Sequence, residues 1–305
     1  MPPPFSDRLA EAVRSKASAL VVGLDPQLDQ LPLELLQAAR ARHADVREQA
    51  AAAIRAFDAA VIEAVAPYAV AVKPQSAFYE RWGAPGIVAW EHAVETARAA
   101  GLLVIGDVKR GDIGSTAAAY AEGHLASPGR PAARVDAVTL NPLLGTDSVA
   151  PFLEVMAAQG AGCFVLVRTS NPSASELQDL PVQGRPLHEH VAALVARWGQ
   201  GHLGACGYSS VGAVVGATAP AELRRLRELL PRAWFLVPGV GAQGATAADV
   251  APAFDGRGLG ALVNSSRGIL YAYGDPAAPD WRARVRSAAR SLRDQLQLAA
   301  SAAVR

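Results

Sequence analysis

A carboxylate, an ammonium and a second carboxylate fall close together in Asp107-Val108-Lys109-Arg110-Gly111-Asp112, directly after the apolar stretch Leu102 to Ile105. Residues two apart on a strand face the same side, so Asp107 and Lys109 project together, while Gly111 lets the chain turn and carry Asp112 beyond the strand end. A further ammonium, Lys73, ends the apolar run that starts at Ala69. Taken as one group, Lys73, Asp107, Lys109 and Asp112 sum to zero charge, and each neutralises its neighbours where the dielectric is low. An anionic reactant upsets that balance. A substrate carboxylate about 4 Å from Asp107 is repelled by on the order of 4 kcal/mol at an effective dielectric near 20, a strain released when it departs as neutral CO2. Lys109 can then stabilise and protonate the carbanion left behind. Solvated loop charges or structural ion pairs are the alternative, and for a single pair the better one. Four charges at two adjacent strand ends favour a site, although spacing alone does not single out decarboxylation.

A second constellation suits an anion. Val237-Pro238-Gly239-Val240-Gly241-Ala242-Gln243-Gly244 follows one apolar run, and Asn264-Ser265-Ser266-Arg267-Gly268 follows the next. Glycines let backbone N-H groups approach phosphate oxygens, Gln243 adds an amide donor, and the Arg267 guanidinium supplies a fork. A glycine-rich turn by itself is most often only a turn; Arg267 on the neighbouring strand end makes phosphate binding the favoured reading. Asp25, in Gly23-Leu24-Asp25-Pro26, either accepts from sugar hydroxyls or forms an Asx turn before proline. Ser170 and Asn171 could face the amide edge of a planar heterocycle, yet Asn171-Pro172, like Asn141-Pro142, is also ordinary turn chemistry.

The elements that must position these groups alternate along the chain. Eight apolar runs read as strands: Ala19 to Leu24, Ala69 to Lys73, Leu102 to Val108, Ala137 to Leu140, Cys163 to Val167, Ala213 to Gly216, Phe235 to Val237 and Ala261 to Val263. They are nearly continuous rather than alternating, the pattern of parallel strands covered on both faces. Amphipathic stripes lie between them, such as Val46, Ile54, Phe57, Val61 and Val65 before Pro67, or Leu223, Leu226 and Leu230 after Pro220. Strand then helix, eight times over, predicts a single (β/α)8 TIM barrel, an α/β fold occupying residues 1–305 with a flexible tail over 1–6. An open doubly wound sheet is the second choice. The barrel is preferred because the polar candidates all sit at strand C-termini, which a barrel gathers into one ring. Asp25 to Tyr68 and Asn171 to Tyr208 are read as insertions.

Net charge is +1 with scattered arginines, which argues against nucleic acid or an anionic membrane surface as partner. The uncharged stretch Leu203 to Ala221 is too rich in glycine and serine for a membrane span. Met1-Pro2-Pro3-Pro4 opens no secretory signal, and the two cysteines, Cys163 and Cys206, read as reduced thiols, so a cytoplasmic protein is expected. His188-x-His190 is read as a solvated helix start, and no metal site is expected.

With these pieces in hand the chain resembles the orotidine 5'-phosphate decarboxylase family, particularly its longer bacterial subgroup. The resemblance rests on Gly23-Leu24-Asp25-Pro26, Val72-Lys73-Pro74, Asp107-Val108-Lys109-Arg110-Gly111-Asp112-Ile113-Gly114, Thr139-Leu140-Asn141-Pro142 and the two phosphate-type segments, which together span residues 23 to 268. It implies cofactor-free conversion of orotidine monophosphate to uridine monophosphate and CO2 in pyrimidine biosynthesis. It implies Lys109 as proton donor to C6, Asp107 as the carboxylate beside the departing CO2, and Lys73 as a bridge from Asp107 to the ribose. Asp25 would bind ribose, Ser170 the pyrimidine, and Gln243 with Arg267 the phosphate. Asp112, Ile113 and Thr116 would enter the partner subunit's site, making a homodimer. In Arg168-Thr169-Ser170-Asn171-Pro172 the local setting departs from shorter members, so Thr169 could replace Ser170. Related enzymes acting on sugar phosphates with Mg2+ resemble this chain at Asp-x-Lys-x-x-Asp but carry an acidic ligand where Lys73 stands. A protein that only binds a nucleotide phosphate is the other rival.

Overall fold

The computed structural model describes residues 2–241 and 244–303. Eight parallel strands close on themselves in the order β1 (Leu20–Leu24), β10 (Ala261–Ser265), β9 (Ala233–Pro238), β8 (Ser209–Val215), β5 (Gly162–Arg168), β4 (Ala137–Leu140), β3 (Leu103–Arg110) and β2 (Ala71–Pro74). The pairing that closes the ring, Leu20 against Val263, excludes the open sheet. All eight apolar runs are strands. The two remaining strands, β6 (Pro181–Val182) and β7 (Arg185–Pro186), form a short antiparallel hairpin off the barrel.

Outside the ring lie α2 (Leu33–Arg42), α3 (Val46–Val65), α4 (Ser76–Glu80), α5 (Gly83–Ala99), α6 (Gly114–Ala121), α7 (Thr146–Gln159), α8 (Leu187–Gly199), α9 (Pro220–Leu229), α10 (Arg267–Leu270) and α11 (Trp281–Ala303). Local chemistry sets their ends. Asp45 caps α3 by accepting from the N-H groups of Arg47 and Glu48, Gly160 ends α7 in the left-handed region, and Pro220 starts α9. Strand-then-helix fails once. Between β9 and β10 the crossover is a 3-10 helix, Ala248–Ala253, because this stretch has no apolar stripe and Pro252 cannot donate into an α-helical ladder.

The expected N-terminal tail extends too far. Phe5 and Ser6 are buried and begin α1 (Phe5–Lys16), which crosses the end of the barrel where the strands start. Phe5 stacks edge-on against Phe164 at 6.0 Å, Arg8 Nη1 donates to Asp136 Oδ1 at 2.5 Å, and Lys16 Nζ donates to the carbonyls of Ala66 and Ala69 at 2.9 Å each. A short prefix rich in proline concealed this plug because its apolar residues are few, and what they cover is visible only once the barrel exists.

Two apolar layers result. Val22, Val72, Val104, Val138 and Val263 face the helices, while Val21, Ala71, Ile105, Ala137, Phe164, Trp234 and Leu262 fill the barrel interior with α1 beneath them. That parity positions the site. Counting onward in twos from the interior residues reaches Asp25, Lys73, Asp107 with Lys109, Thr139, Leu166, Leu236 and Asn264, all at the open end.

Candidate active site

Asp107 is the centre of the open end. It is 5% exposed, and its two carboxylate oxygens are shared between three donors. Lys73 Nζ lies 2.5 Å from Oδ2, Lys109 Nζ lies 2.5 Å from Oδ1, and Thr139 Oγ1 donates to Oδ1 at 2.9 Å. Burial alone would raise the Asp107 pKa, but the two ammoniums overcome it and hold the carboxyl far below its usual range. Burial likewise pushes Lys73 down, and the carboxylates of Asp107 and Asp25 outweigh it, leaving its pKa above the ordinary lysine value. Two lysine side chains thus flank one ionised carboxylate.

Lys109 differs from Lys73 in two respects. Its side chain is 46% exposed where that of Lys73 is 8%, so only Lys109 has ready access to solvent protons. It also has a φ of 43°, the left-handed region, at a point where the β3–β4 register shifts between Gly106 and Arg110. Its N-H donates to Thr139 Oγ1 at 2.9 Å. A left-handed non-glycine residue costs on the order of 1 kcal/mol or more and persists where the surroundings over-determine it. Thr139 thus serves both partners of the charge pair, a role the sequence reading missed. The available signal was its parity: it follows interior-facing Ala137 by two.

Asp107, Lys73, Lys109 and Thr139 border a cavity of about 260 Å³ that also touches Thr169, Ser170 and Asn264, with Leu166, Val214 and Leu236 as an apolar wall. A flat, partly apolar ring fits such a wall. Asp25 Oδ1 is buried with no hydrogen-bond partner among the described residues, as is Asn264 Oδ1. The N-H of Gln27 bonds to Tyr271 Oη at 2.8 Å rather than to Asp25, so Asp25 makes no Asx turn. Asn141 does make one: its Oδ1 accepts from the N-H of Leu143 at 3.1 Å.

The sequence model of the Orotidine 5'-phosphate decarboxylase / HUMPS family matches residues 18–279. A chain of Rhodopirellula baltica named orotidine 5'-phosphate decarboxylase is 45% identical over 301 residues, covering 96% of this chain and 99% of its own length. The chain belongs to this family. One of the same name from Deinococcus radiodurans is 44% identical over 298 residues, covering 97% of this chain and 98% of that one. Among solved structures, a Leishmania donovani OMP decarboxylase superposes with a TM-score of 0.74 at 34% identity, over 97% of this chain and 98% of that one. A chain of Streptomyces avermitilis described as a crystal structure of putative orotidine 5'-phosphate decarboxylase reaches 0.79 at 37%, over 99% and 96%.

Not every expected site residue gathers in one chain. Asp112 is absent from the cavity border, and its Oδ1 accepts from the N-H of Ile113 at 2.8 Å. Of the expected group of four, three meet within one chain: Lys73, Asp107 and Lys109. Ile113 is 53% exposed and Thr116 is exposed as well. Gly111 passes close to β4: a Cβ there would stand 3.0 Å from the Asn141 carbonyl oxygen. Arg267 begins α10 directly after β10 and is exposed, with no ion pair among the described residues. Gln243 lies outside the described residues; beside it, the N-H of Gly241 donates to Ala245 O at 2.9 Å.

His188 overturns the expectation of a solvated helix start. It is 4% exposed, with Nδ1 3.0 Å from Gln178 O, because the segment between β5 and α8 folds back over it. Cys163 and Cys206 are both free, and burial pushes the Cys163 thiol up to about 12. Among the described residues no group of three or more His, Cys, Asp or Glu side chains could hold a metal ion, and no helix is long and apolar enough to cross a membrane.

Proposed function

We propose that this chain converts orotidine monophosphate to uridine monophosphate and CO2, with Asp107 and Lys109 acting on the bond at C6. The observation that carries the reading is one buried carboxylate clamped between two ammoniums at 2.5 Å each, at the mouth of a barrel. The substrate's ring carboxylate, brought beside Asp107, meets a like charge that is already desolvated. Heterolysis of the C6–carboxylate bond leaves its electron pair on C6 and releases neutral CO2. Lys109 Nζ stabilises that pair and then gives it a proton, after which its solvent-accessible amine is recharged from water. Lys73 keeps Asp107 ionised throughout.

The remaining contacts follow from what is left free. Asp25, with an unpartnered buried oxygen, takes a ribose hydroxyl; Arg267, with Gln243, takes the phosphate. Ser170 rather than Thr169 takes the pyrimidine, since the single hydroxyl proton of Thr169 goes to Asn171 Oδ1 at 2.6 Å, whereas Ser170 has no hydroxyl partner among the described residues. The chain works as a cytoplasmic homodimer, in which Asp112, Ile113 and Thr116 of each subunit complete the other's site and bring the fourth charge to the group.

A sugar-phosphate reaction assisted by Mg2+ is disfavoured by Lys73, whose ammonium occupies the carboxylate a cation would need. Loss of orotidine monophosphate absorbance on adding pure protein, with a chelator present, tests the proposal. Turnover should persist in chelator, and Lys109→Ala should bind uridine monophosphate while turning over about a thousandfold more slowly. Normal turnover by Lys109→Ala would refute the assigned acid, and loss of parent activity in chelator would favour the metal-dependent rival.

A further inference from the structure

Gln178 stands outside the cavity, in the segment that follows β5, yet it holds the residue next to Ser170 through both polar atoms of its amide. Its Oε1 accepts from the N-H of Thr169 at 2.7 Å, and its Nε2 donates to Thr169 Oγ1 at 2.8 Å. The other side of Thr169 is held by Arg168, whose Nη1 donates to the Thr169 carbonyl at 2.7 Å. Thus the amide, the carbonyl and the hydroxyl of Thr169 are all engaged by side chains.

The holders are themselves held. Asp179 accepts from Arg168 Nη2 at 2.9 Å and lies 3.2 Å from His188 Nδ1, and the backbone N-H of His188 donates to Gln178 O at 2.9 Å. From β8 the loop is hemmed in at Gly216, where a Cβ would stand 2.8 Å from Ser170 Cα. A backbone fixed at this many points loses little entropy when its free hydroxyl engages a ligand. Thr169 itself is half-buried at the barrel rim, next to the cavity.

We propose that Gln178, backed by Asp179 and His188, is a positioning residue for selectivity toward the heterocycle: it fixes the Thr169–Ser170 backbone so that Ser170 meets the amide edge of a pyrimidine. The inference rests on the decarboxylase reading above. It assigns the Asn171 to Tyr208 segment a part in recognition, through its first turns, in addition to supplying the crossover helix α8.

Steady-state kinetics and inhibition of the full-length parent, Gln178→Ala and Gln178→Glu test it, with uridine monophosphate and ribose 5-phosphate as probes. Ribose 5-phosphate carries the sugar and phosphate but no base. Gln178→Ala should raise KM for orotidine monophosphate and Ki for uridine monophosphate about tenfold, leave kcat within about threefold, and leave Ki for ribose 5-phosphate within about twofold. Gln178→Glu, which keeps an acceptor for the Thr169 N-H, should recover part of the loss and carries the comparison if the alanine variant folds poorly. Unchanged constants in both variants, or equal weakening of the two probes, would overturn the proposal. A parent that neither binds uridine monophosphate nor consumes orotidine monophosphate would instead defeat the decarboxylase reading on which it stands.

Discussion

Asp107 and Asp58 show how two buried carboxyls in one chain are driven in opposite directions. Asp107 has ammonium partners and stays ionised to low pH; Asp58, fully buried, has only the Tyr79 hydroxyl at 2.8 Å and an Oδ1 with no partner among the described residues. Burial, reinforced by the charge of Asp25 and only partly offset by Tyr79, pushes Asp58 up to about 7. Its folded pKa lies above the ordinary 3.8, so between those values the folded chain binds the extra proton and this contribution to stability falls as pH rises, levelling off above about 7. Asp58→Asn removes the effect. Its gain over the parent should grow by roughly 3 kcal/mol from pH 5 to pH 8 in urea melts, and an equal gain at both pH values would contradict the assignment. Asp107 contributes with the opposite sign: its depressed pKa supplies stability above the ordinary carboxylate value that is lost as pH falls through the folded one. Lys73, raised, supplies stability present below 10.5 and lost as pH climbs through its higher folded value. Arg267 is a simpler case, exposed and free of ion pairs among the described residues. Arg267→Ala should weaken uridine monophosphate by roughly 2–3 kcal/mol while barely changing uridine, as isothermal titration would report, because it removes charge-assisted hydrogen bonds without touching the core.

At the scale of elements, the site depends on strand ends that are not regular. β3 shifts register against β4 where Lys109 turns left-handed, and β5 shifts against β8 between Leu166 and Arg168, just before the Ser170 loop. These shifts aim side chains that regular strands would leave in the ladder. Gly216, the residue after β8, is where the second shift becomes testable. Gly216→Ala inserts a methyl against Ser170 Cα, Cβ and N, all within 2.9 Å of it, so the β5 loop must move. The expected cost is about 1–3 kcal/mol of stability together with a raised KM for orotidine monophosphate. Thermal melts alongside kinetics check this, and a destabilised variant with unaltered KM would show that the loop does not meet the substrate.

For the whole molecule, a single chain gathers Lys73, Lys109 and Asp107, with its Asp112 outside the cavity border. If a partner supplies the fourth charge, two inactive variants should rescue each other. Mixing Lys109→Ala with Asp112→Ala after reversible dissociation gives mixed dimers in which one of the two sites is complete, so about a quarter of the parental activity should return. No recovery from a mixture in which mixed dimers are demonstrated by native mass spectrometry would place Asp112 outside the partner's site.

Eight buried strands and their order along the chain were readable from apolar runs, because a parallel strand covered on both faces leaves an unbroken apolar signature. The meeting of Lys73, Asp107 and Lys109 at the ends of β2 and β3 was readable too, though not the place of Asp112, since ionised side chains beside such runs are costly unless they pair. Tertiary structure alone decided what depends on distant segments meeting: α1 as a plug under Phe164, the double service of Thr139, the burial of His188, and the grip of Gln178 on Thr169. Each is a contact whose two halves carry no mark of one another in sequence. Hydrogen bonds and close packing are set by positions in space, and those positions exist only after the barrel has closed.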